Sequence, residues 1–250
     1  MPQRYTKNYS VTTIQKDGET FSSERTVAKE DSIELSVNGT RAASILASPE
    51  YVRELAVGYA ICEGIVGSDE IVDIQADGME VNIDIKCTDD FTLWHELRSS
   101  GCIGVKWQGN EDINVNSDTV FPASSVFSGI KFLESDVYRM TRGTHLAALV
   151  SMRGELVAKA VDIGRHNAID KVVGYAALNN IDVSQLYLLS TGRQSAGMVL
   201  KAARAGIPLI VTKSAPFDSG IDAAEKSGVG LVGFVSNTEM TVFANKWRID

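Results

Sequence analysis

Polar and apolar residues alternate with period two over much of the first 90 residues. The alternation is clearest over residues 9–14, 32–37 and 81–85, and this period is typical of half-buried β-strands. Asn38 and Gly39 follow the second of these runs. Since an Asn-Gly pair suits a two-residue turn between strands, the pattern predicts a hairpin at this point. The N-terminal third is therefore predicted to consist mainly of strands.

One helix is predicted to interrupt these strands. Ser48 and Pro49 suit the N-cap and the first turn of a helix, and the apolar spacing that follows continues to about Glu63. Gly64 is predicted to end this helix because glycine adopts the conformations that stop helices. Residues 112–128 are polar with few periodic apolar positions, and this composition predicts a linker.

Beyond the linker, short apolar runs alternate with segments in which apolar residues recur at helical spacing. The predicted strands cover residues 146–150, 156–161, 186–189, 208–212 and 231–235, and the predicted helices cover residues 128–140, 168–177, a segment ending at 205, and 221–226. Strands that alternate with helices of this length predict an open, mostly parallel sheet. The sequence thus indicates a strand-rich N-terminal portion over residues 1–125 and an α/β domain over residues 126–250, an α+β arrangement overall.

Composition narrows the range of functions. The chain has 250 residues, of which 44% are hydrophobic, and its net charge is −8. These values are typical of a globular protein, and an acidic chain lacks the broad basic surface that nucleic-acid binding requires. No apolar run reaches the roughly 20 residues that span a bilayer, and the N-terminus has no signal-peptide pattern. We therefore expect a cytoplasmic protein that binds neither nucleic acid nor membrane.

Polar loops follow four of the predicted strands in the C-terminal half. Because ligands bind at the carboxyl ends of strands in open α/β sheets, we expect these loops to lie close together. Free N–H groups at the start of a helix favour anions, and arginine and lysine add positive charge. These features predict a pocket for a ligand that carries a pyrophosphate. The candidate residues are Arg165, His166 and Asn167 in the first loop, Arg193 in the second, Lys213 and Ser214 in the third, and residues 234–239 in the fourth.

Each loop also has an ordinary structural explanation. Asn167 suits the N-cap of the helix that follows it, and Ser190 or Ser195 suits the N-cap of the next helix. Residues 213–218 fit an ordinary turn, and the composition of residues 234–239 favours a hairpin turn. These alternatives stay open at the level of the sequence.

The chain has three cysteines, whose spacing fits neither a disulfide framework nor a structural zinc site. Cys62 is predicted to lie in the core on the first helix, and Cys87 is predicted to be structural at the end of a strand. Cys102 lies in the small-residue stretch 99–104, for which the sequence predicts a loop. A thiolate in such a loop is accessible and can attack sulfur to carry a persulfide.

Seven short segments occur in an order that resembles the FdhD family, and together they span most of the chain from about residue 45 to residue 236. The most specific is DIGRHNAIDK at residues 162–171. The others are LAVGYAICEGI (55–65), GCIG (101–104), TRGTHLAA (141–148), TGRQS (191–195), AGIP (205–208) and SAP (214–216).

The resemblance implies a cytidine-deaminase-like C-terminal α/β domain and a smaller N-terminal portion. It also implies a sulfurtransferase that accepts persulfide sulfur from a cysteine desulfurase and passes it to the bis-guanine-dinucleotide molybdenum cofactor, as formate dehydrogenase activity requires. A homodimer is expected on the same basis. The persulfide cysteine of the family corresponds to Cys102. Its guanine-dinucleotide-binding stretch corresponds to Phe234, Val235, Ser236, Asn237, Thr238 and Glu239.

The chain departs from the family pattern at several positions. Many members have a second cysteine three residues after the first, where this chain has Val105, so a relay between two cysteines is not available. Val161, Gly197 and Phe217 replace residues that are usual in the family, and the C-terminal stretch lacks the usual Arg-Gly pair. These differences leave open a different client enzyme, or a cofactor carrier that transfers no sulfur.

A nucleoside deaminase is a further alternative, suggested only by the implied fold. Such an enzyme needs zinc, and the His-x-Glu and Pro-Cys-x-x-Cys signature of the zinc deaminases is absent from the sequence. His145 and His166 have side chains that bind metals, but no third ligand accompanies them. We therefore expect no metal ion bound by the protein itself.

Overall fold

The computed structural model describes residues 2–86, 94–97, 103–106 and 113–250. Its N-terminal part is built mainly of strands, as the alternation predicts. The elements are β1 (Thr6–Ile14), β2 (Thr20–Ala28), β3 (Asp31–Val37), β4 (Thr40–Ala47), α1 (Val52–Cys62), β5 (Ile71–Asp77), β6 (Glu80–Ile85), β7 (Trp94–Leu97) and β8 (Ile103–Lys106). The pairs β1–β2 and β7–β8 form antiparallel ribbons, and the other strands form a sheet in the order β4-β3-β6-β5.

The predicted Asn-Gly turn joins β3 to β4. Asn38 and Gly39 have φ values of 48° and 76°, as a two-residue hairpin turn of this type requires. The Asn38 side chain also accepts a hydrogen bond from the Ile85 N–H at 2.8 Å, so it ties the turn to the neighbouring strand β6. The hairpin prediction is confirmed.

The predicted start of α1 is wrong. The helix begins at Val52 after Tyr51, which has a left-handed backbone with φ of 57° and makes no side-chain cap. Ser48 is fully buried instead, and its hydroxyl accepts a hydrogen bond from the Ile163 N–H at 3.3 Å. The Ser48 hydroxyl, which the local pattern predicts to cap α1, is therefore bonded to Ile163, 115 positions away in the chain. Gly64 follows the helix with φ of 70°, as predicted.

The C-terminal part alternates strands and helices. Its elements are α2 (Ala123–Gly129), α3 (Asp136–Thr141), β9 (His145–Ser151), β10 (Leu156–Asp162), α4 (Arg165–Leu178), β11 (Leu186–Ser190), α5 (Ala196–Arg204), β12 (Leu209–Thr212), α6 (Asp218–Ser227), β13 (Gly230–Gly233) and β14 (Thr241–Ala244). Every strand and helix predicted from residue 146 onward is present, and β14 has no counterpart among the predicted elements. The α/β fold class with a strand-rich N-terminal portion is confirmed.

The single helix predicted over residues 128–140 is wrong, because this segment is broken into three pieces. After α2, a 3₁₀ turn covers Ile130–Leu133, and Glu134 is extended before α3 begins. The Ser135 side chain caps α3 by accepting a hydrogen bond from the Tyr138 N–H. A strong local cap thus starts a new helix where apolar spacing alone suggests a continuous one.

The C-terminal sheet has six strands in the order β10-β9-β11-β12-β13-β14. Only the pairs β11–β12 and β12–β13 are parallel, and the other three pairs are antiparallel. The expectation of a mostly parallel sheet is therefore correct for the central three strands alone. Because β9 and β10 form a hairpin, β10 runs in the same direction as β11, β12 and β13, and the carboxyl ends of these four strands lie at one edge.

Both faces of this sheet are covered, which explains the continuous apolar runs of its central strands. One face packs against α4, α5 and α6, and the other packs against the segment from α2 to the 3₁₀ turn. Helix α1 lies between α4 and the four-stranded N-terminal sheet, so one apolar cluster includes Ile33, Leu55, Val172 and Leu188. The core is thus continuous across residue 125, and the domain boundary proposed there stays a prediction.

Helices α1 and α4 cross with their backbones in contact. A Cβ atom added to Gly58 would lie 1.7 Å from the Asp170 carbonyl oxygen, and one added to Gly174 would lie 1.8 Å from the Glu54 carbonyl oxygen. Beside this crossing, the buried Lys201 ammonium lies 2.8 Å from carboxylate oxygens of both Glu63 and Asp170. Among the described residues, every helix is too short or too polar to cross a lipid bilayer.

Candidate functional site

The strand directions bring five loops to one edge of the C-terminal sheet. Asp162 at the end of β10 is opposite His145 at the start of β9. Ser190 at the end of β11 is opposite Ala147 in β9 and Thr212 at the end of β12. The loops that follow β10, β11, β12 and β13 therefore meet at this edge, together with the loop that precedes β9.

The loops after β11 and β12 are locked together through a buried glutamine. The Gln194 N–H donates to the Ala215 carbonyl oxygen at 3.1 Å, and the Phe217 N–H donates to the Gln194 carbonyl oxygen at 2.8 Å. The Gly192 carbonyl oxygen accepts from Gln194 Nε2 and from Thr212 Oγ1, both at 2.8 Å. These bonds fix the backbone that presents Arg193 and Lys213.

The predicted cations come from three different loops of this edge. Arg165 begins α4, and its side chain crosses Gly192 so closely that a Cβ atom added there would lie 2.8 Å from the Arg165 Cβ. The Arg193 guanidinium stacks over the Phe217 ring at 5.2 Å. Burial and the nearby charges of Arg165 and Arg193 lower the pKa of His145. The imidazole is therefore held in its neutral form at pH 7, beside two permanent cations.

A cavity of about 120 Å³ opens between α3 and this edge. Thr144 is 5% exposed, and its hydroxyl has no hydrogen-bond partner among the described residues. Thr191 Oγ1 lies 3.4 Å from His145 Nδ1. Since buried polar atoms are normally paired, the lone Thr144 hydroxyl is an unusual feature of this lining among the described residues. The polar residues of the lining are Ser135, Tyr138, Thr144, His145, Thr191 and Lys213.

Two of the predicted residues after Arg165 face inward. His166 is 8% exposed and Asn167 is 2% exposed. Asn167 Nδ2 donates to the Leu46 carbonyl oxygen at 2.8 Å and to Asp162 Oδ1 at 2.9 Å. The alternative in which Asn167 caps α4 is wrong, because Gly164 occupies the N-cap position and no side chain caps the helix. Direct contact of Asn167 with a cofactor stays a prediction.

The fourth loop, residues 234–239, joins β13 to its antiparallel neighbour β14, so the hairpin alternative describes its structure. Its base is tied to the third loop, because the Phe234 N–H donates to the Ser214 carbonyl oxygen at 3.2 Å. Phe234 has φ of 53° and is 50% exposed. The Ser236 hydroxyl accepts from the Glu239 N–H at 3.1 Å and holds the turn closed. An exposed ring therefore stands at the same edge as the cations.

Cys102, the predicted persulfide residue, lies outside the described residues, and its role stays a prediction. Cys62 is completely buried, as predicted, and burial raises the pKa of its thiol. The described part of the chain contains no group of three or more His, Cys, Asp or Glu residues placed to hold a metal ion.

Pocket residues of the segment before β9 are absent from the predicted site. Thr144 and His145 belong to the TRGTHLAA segment at residues 141–148, but they lie at the start of a strand instead of following one. Their position at the edge depends on β9 running antiparallel to β11. The only local signal for these site residues is a Thr and a His directly before an apolar run. That signal is weak, because it does not show that the start of β9 lies at the same edge as the ends of the other strands.

Comparison with known proteins gives a consistent result. The model of the FdhD/NarQ family matches residues 28–250. A sulfur carrier protein FdhD from Methanothermobacter thermautotrophicus is 34% identical over 228 residues, which cover 89% of this chain and 91% of that protein. A sulfur carrier protein FdhD from Wolinella succinogenes is 35% identical over 241 residues, which cover 91% of this chain and 83% of that protein.

A solved structure has the same fold. It is the crystal structure of a candidate formate dehydrogenase accessory protein from Desulfotalea psychrophila, with a TM-score of 0.83 and 24% sequence identity. The match covers 98% of this chain and all of that chain. The whole architecture, including both strand-rich and α/β parts, therefore occurs in a second protein.

Proposed function

Because the chain belongs to the FdhD/NarQ family, we propose that it is a sulfurtransferase that carries sulfur for formate dehydrogenase. In this proposal Cys102 accepts sulfane sulfur from a cysteine desulfurase, and the protein passes that sulfur to the bis-guanine-dinucleotide molybdenum cofactor. The cofactor is a substrate that the protein holds for a time. The names of the curated relatives and the polar edge described above support the proposal.

The observation that carries the proposal is the meeting of Arg165, Arg193 and Lys213, from three loops, at one edge of an acidic protein. A dinucleotide with a pyrophosphate needs several cations at fixed separations. The cavity with the unpaired Thr144 hydroxyl offers a buried polar contact beside these cations. The exposed Phe234 ring offers a surface on which a guanine can stack. In the proposal these groups hold the phosphates and one base of the cofactor.

The proposed sulfur chemistry has two balanced steps. In the first, the Cys102 thiolate attacks the terminal sulfur of the desulfurase persulfide. A new S–S bond forms on Cys102, the old S–S bond breaks, and the desulfurase cysteine leaves as a thiolate, so no net oxidation occurs. In the second, the terminal sulfur leaves for the molybdenum centre as sulfide. This step takes two electrons, which two thiols of the client or of an external reductant supply as they form a disulfide.

The test of the proposal is an intact-mass measurement. The protein is incubated with a cysteine desulfurase and cysteine, and its mass is measured without reductant. We expect the wild type to gain one sulfur atom and Cys102→Ala to gain none. The variants Cys62→Ala and Cys87→Ala are the matched controls, and both are expected to gain sulfur as the wild type does. An unmodified wild type, or equal gain on Cys102→Ala, would contradict the proposal.

A second candidate is a carrier that binds and delivers the cofactor without transferring sulfur. Its support is the single cysteine of the 99–104 stretch, since Val105 stands where many family members have a second cysteine. This candidate predicts that Cys102→Ala activates formate dehydrogenase as well as the wild type does. The sulfurtransferase proposal predicts that the same variant leaves the client inactive. Activity of reconstituted formate dehydrogenase therefore separates the two functions.

A further inference from the structure

Three buried side chains of the DIGRHNAIDK segment form hydrogen bonds with the backbone at the end of β4. Asn167 Nδ2 donates to the Leu46 carbonyl oxygen at 2.8 Å, and Lys171 Nζ donates to the Ser48 carbonyl oxygen at 2.9 Å. The Ser48 N–H donates to Asp162 Oδ2 at 3.1 Å. Residues 46–48 are therefore held through their backbone by a segment more than 100 residues later in the chain.

Within this trio, Asp162 also bonds to each of the other two side chains. Lys171 Nζ lies 2.6 Å from Asp162 Oδ2, and Asn167 Nδ2 donates to Asp162 Oδ1 at 2.9 Å. Asp162, Asn167 and Lys171 are 0%, 2% and 1% exposed. We call these three residues the clamp. A buried ion pair with every partner in place is rigid, and it strongly opposes any displacement that would leave one charge uncompensated.

The clamp also fixes the turn that presents Arg165. Asp162 Oδ1 accepts a hydrogen bond from the Gly164 N–H at 2.8 Å, and Gly164 is the N-cap residue of α4. One carboxylate thus contacts both the end of β4 and the first turn of α4. Asp162 therefore links the backbone before Arg165 directly to the backbone of Ser48.

Strand β4 in turn contacts β8, the strand that follows Cys102 in the chain. Strand β8 lies against β4, and its first residue, Ile103, directly follows Cys102 in the sequence. The clamp therefore connects β4, which contacts β8, to the cationic edge of the C-terminal sheet.

We propose that Asp162, Asn167 and Lys171 are positioning residues, which keep β4 and the strand β8 that contacts it in register with the cofactor-binding edge and do not contact the cofactor themselves. This inference rests on the sulfur-carrying function proposed above. It changes the role expected for Asn167, because both donors of its side-chain amide are already used inside the protein. A misplacement of about 1 Å away from the reacting atoms can lower a rate by about 100-fold, so loosening the clamp is expected to slow sulfur delivery.

The test uses Asn167→Leu, which keeps the size of the side chain and removes its donors. Asp170→Asn is the matched control, because it alters another buried polar group on the same helix that makes no contact with residues 46–48. Three quantities are measured for the full-length protein: sulfur loaded per chain by intact mass, the rate of formate dehydrogenase activation per loaded chain, and the Kd for GDP as a probe of nucleotide binding. Circular dichroism checks that each variant is folded.

We expect Asn167→Leu to lower the rate per loaded chain about tenfold or more, with the GDP Kd unchanged and the Asp170→Asn control at the wild-type rate. A wild-type rate for Asn167→Leu would overturn the inference. So would a tenfold rise in its GDP Kd, which would indicate direct contact, or an equal loss in the control, which would indicate a general packing effect.

If Asn167→Leu does not fold, Ser48→Ala removes the 3.3 Å bond from the Ile163 N–H and is expected to give a smaller loss of rate in the same direction. Failure of the proposed function is recognised separately, because in that case the wild type itself takes up no sulfur. Failure of the positioning role appears only as a difference between variants that do load sulfur.

Discussion

Lys201 is a buried cation that joins two carboxylates from different parts of the chain. Its ammonium donates to both Asp170 oxygens, at 2.8 and 2.9 Å, and contacts Glu63 at 2.8 Å. Two carboxylates and one ammonium leave this buried cluster with an excess of negative charge. Burial and the nearby Glu63 raise the pKa of Asp170 to about 6. The cluster therefore takes up one proton as the pH falls through about 6.

Asp170 is expected to make the folded protein less stable as the pH rises, which is opposite to the effect of a carboxylate whose pKa is lowered by folding. Its pKa is 3.8 in the unfolded reference and about 6 in the folded protein, so the folded state binds more protons between these values. Stability from this group is therefore lost as pH rises from about 4 to 6. Relative to the wild type, Asp170→Asn should gain up to about 3 kcal/mol over that window. Urea denaturation of both proteins at pH 4 and pH 6.5 measures the difference, and parallel pH profiles would contradict the expectation.

At the scale of elements, the crossing of α1 and α4 is decided by two glycines. Gly58 and Gly174 each lie against a backbone carbonyl of the opposite helix. No side chain larger than hydrogen fits between the two backbones at these points. The contact brings Glu63 and Cys62, at the end of α1, to the cluster around Asp170 and Lys201. The position of α1 between the N-terminal sheet and the C-terminal helices therefore depends on this close approach.

Gly58→Ala should separate the two helices. In an exposed helix this change would stabilise the protein by about 1 kcal/mol. Here the added Cβ would lie 1.7 Å from the Asp170 carbonyl oxygen, so we expect a loss of about 3 kcal/mol or more in the free energy of unfolding. Gly143→Ala is the control, since its Cβ would meet the nearest atom at 3.7 Å. Urea midpoints compare the two variants, and a Gly58→Ala midpoint at or above that of the control would show that the helices do not cross as described.

At the scale of the whole molecule, the three candidate cations of an acidic protein lie at one sheet edge. The net charge is −8, yet Arg165, Arg193 and Lys213 come from three separate loops to the ends of neighbouring strands. An acidic surface around a local cationic site disfavours nucleic acid and still permits a small anionic ligand.

Removal of one edge cation should weaken binding of a guanine nucleotide. We expect Arg193→Gln and Lys213→Gln each to raise the GDP Kd about tenfold, as loss of one charge-assisted contact predicts. Lys226→Gln is the charge-matched control, because Lys226 lies in the last turn of α6, at the opposite end from the helix starts. Isothermal titration calorimetry at low salt measures each Kd. An equal change in all three variants would assign the effect to net charge, and no change in the first two would remove these loops from the site.

The sequence alone determined the strands β9 to β13 and the helices α4 to α6, the Asn-Gly hairpin, the core position of Cys62 and the loops that carry the cations. These features depend on local periodicity, turn chemistry and residue type, which neighbours in the chain are enough to specify. Only the tertiary structure decided that Ser48 is bonded to Asp162 and Ile163 instead of capping α1, that Asn167 faces inward, and that Thr144 and His145 join the site through the antiparallel direction of β9. Those outcomes depend on groups more than 40 residues apart competing for the same hydrogen-bonding atoms, and on strand directions that local patterns do not encode.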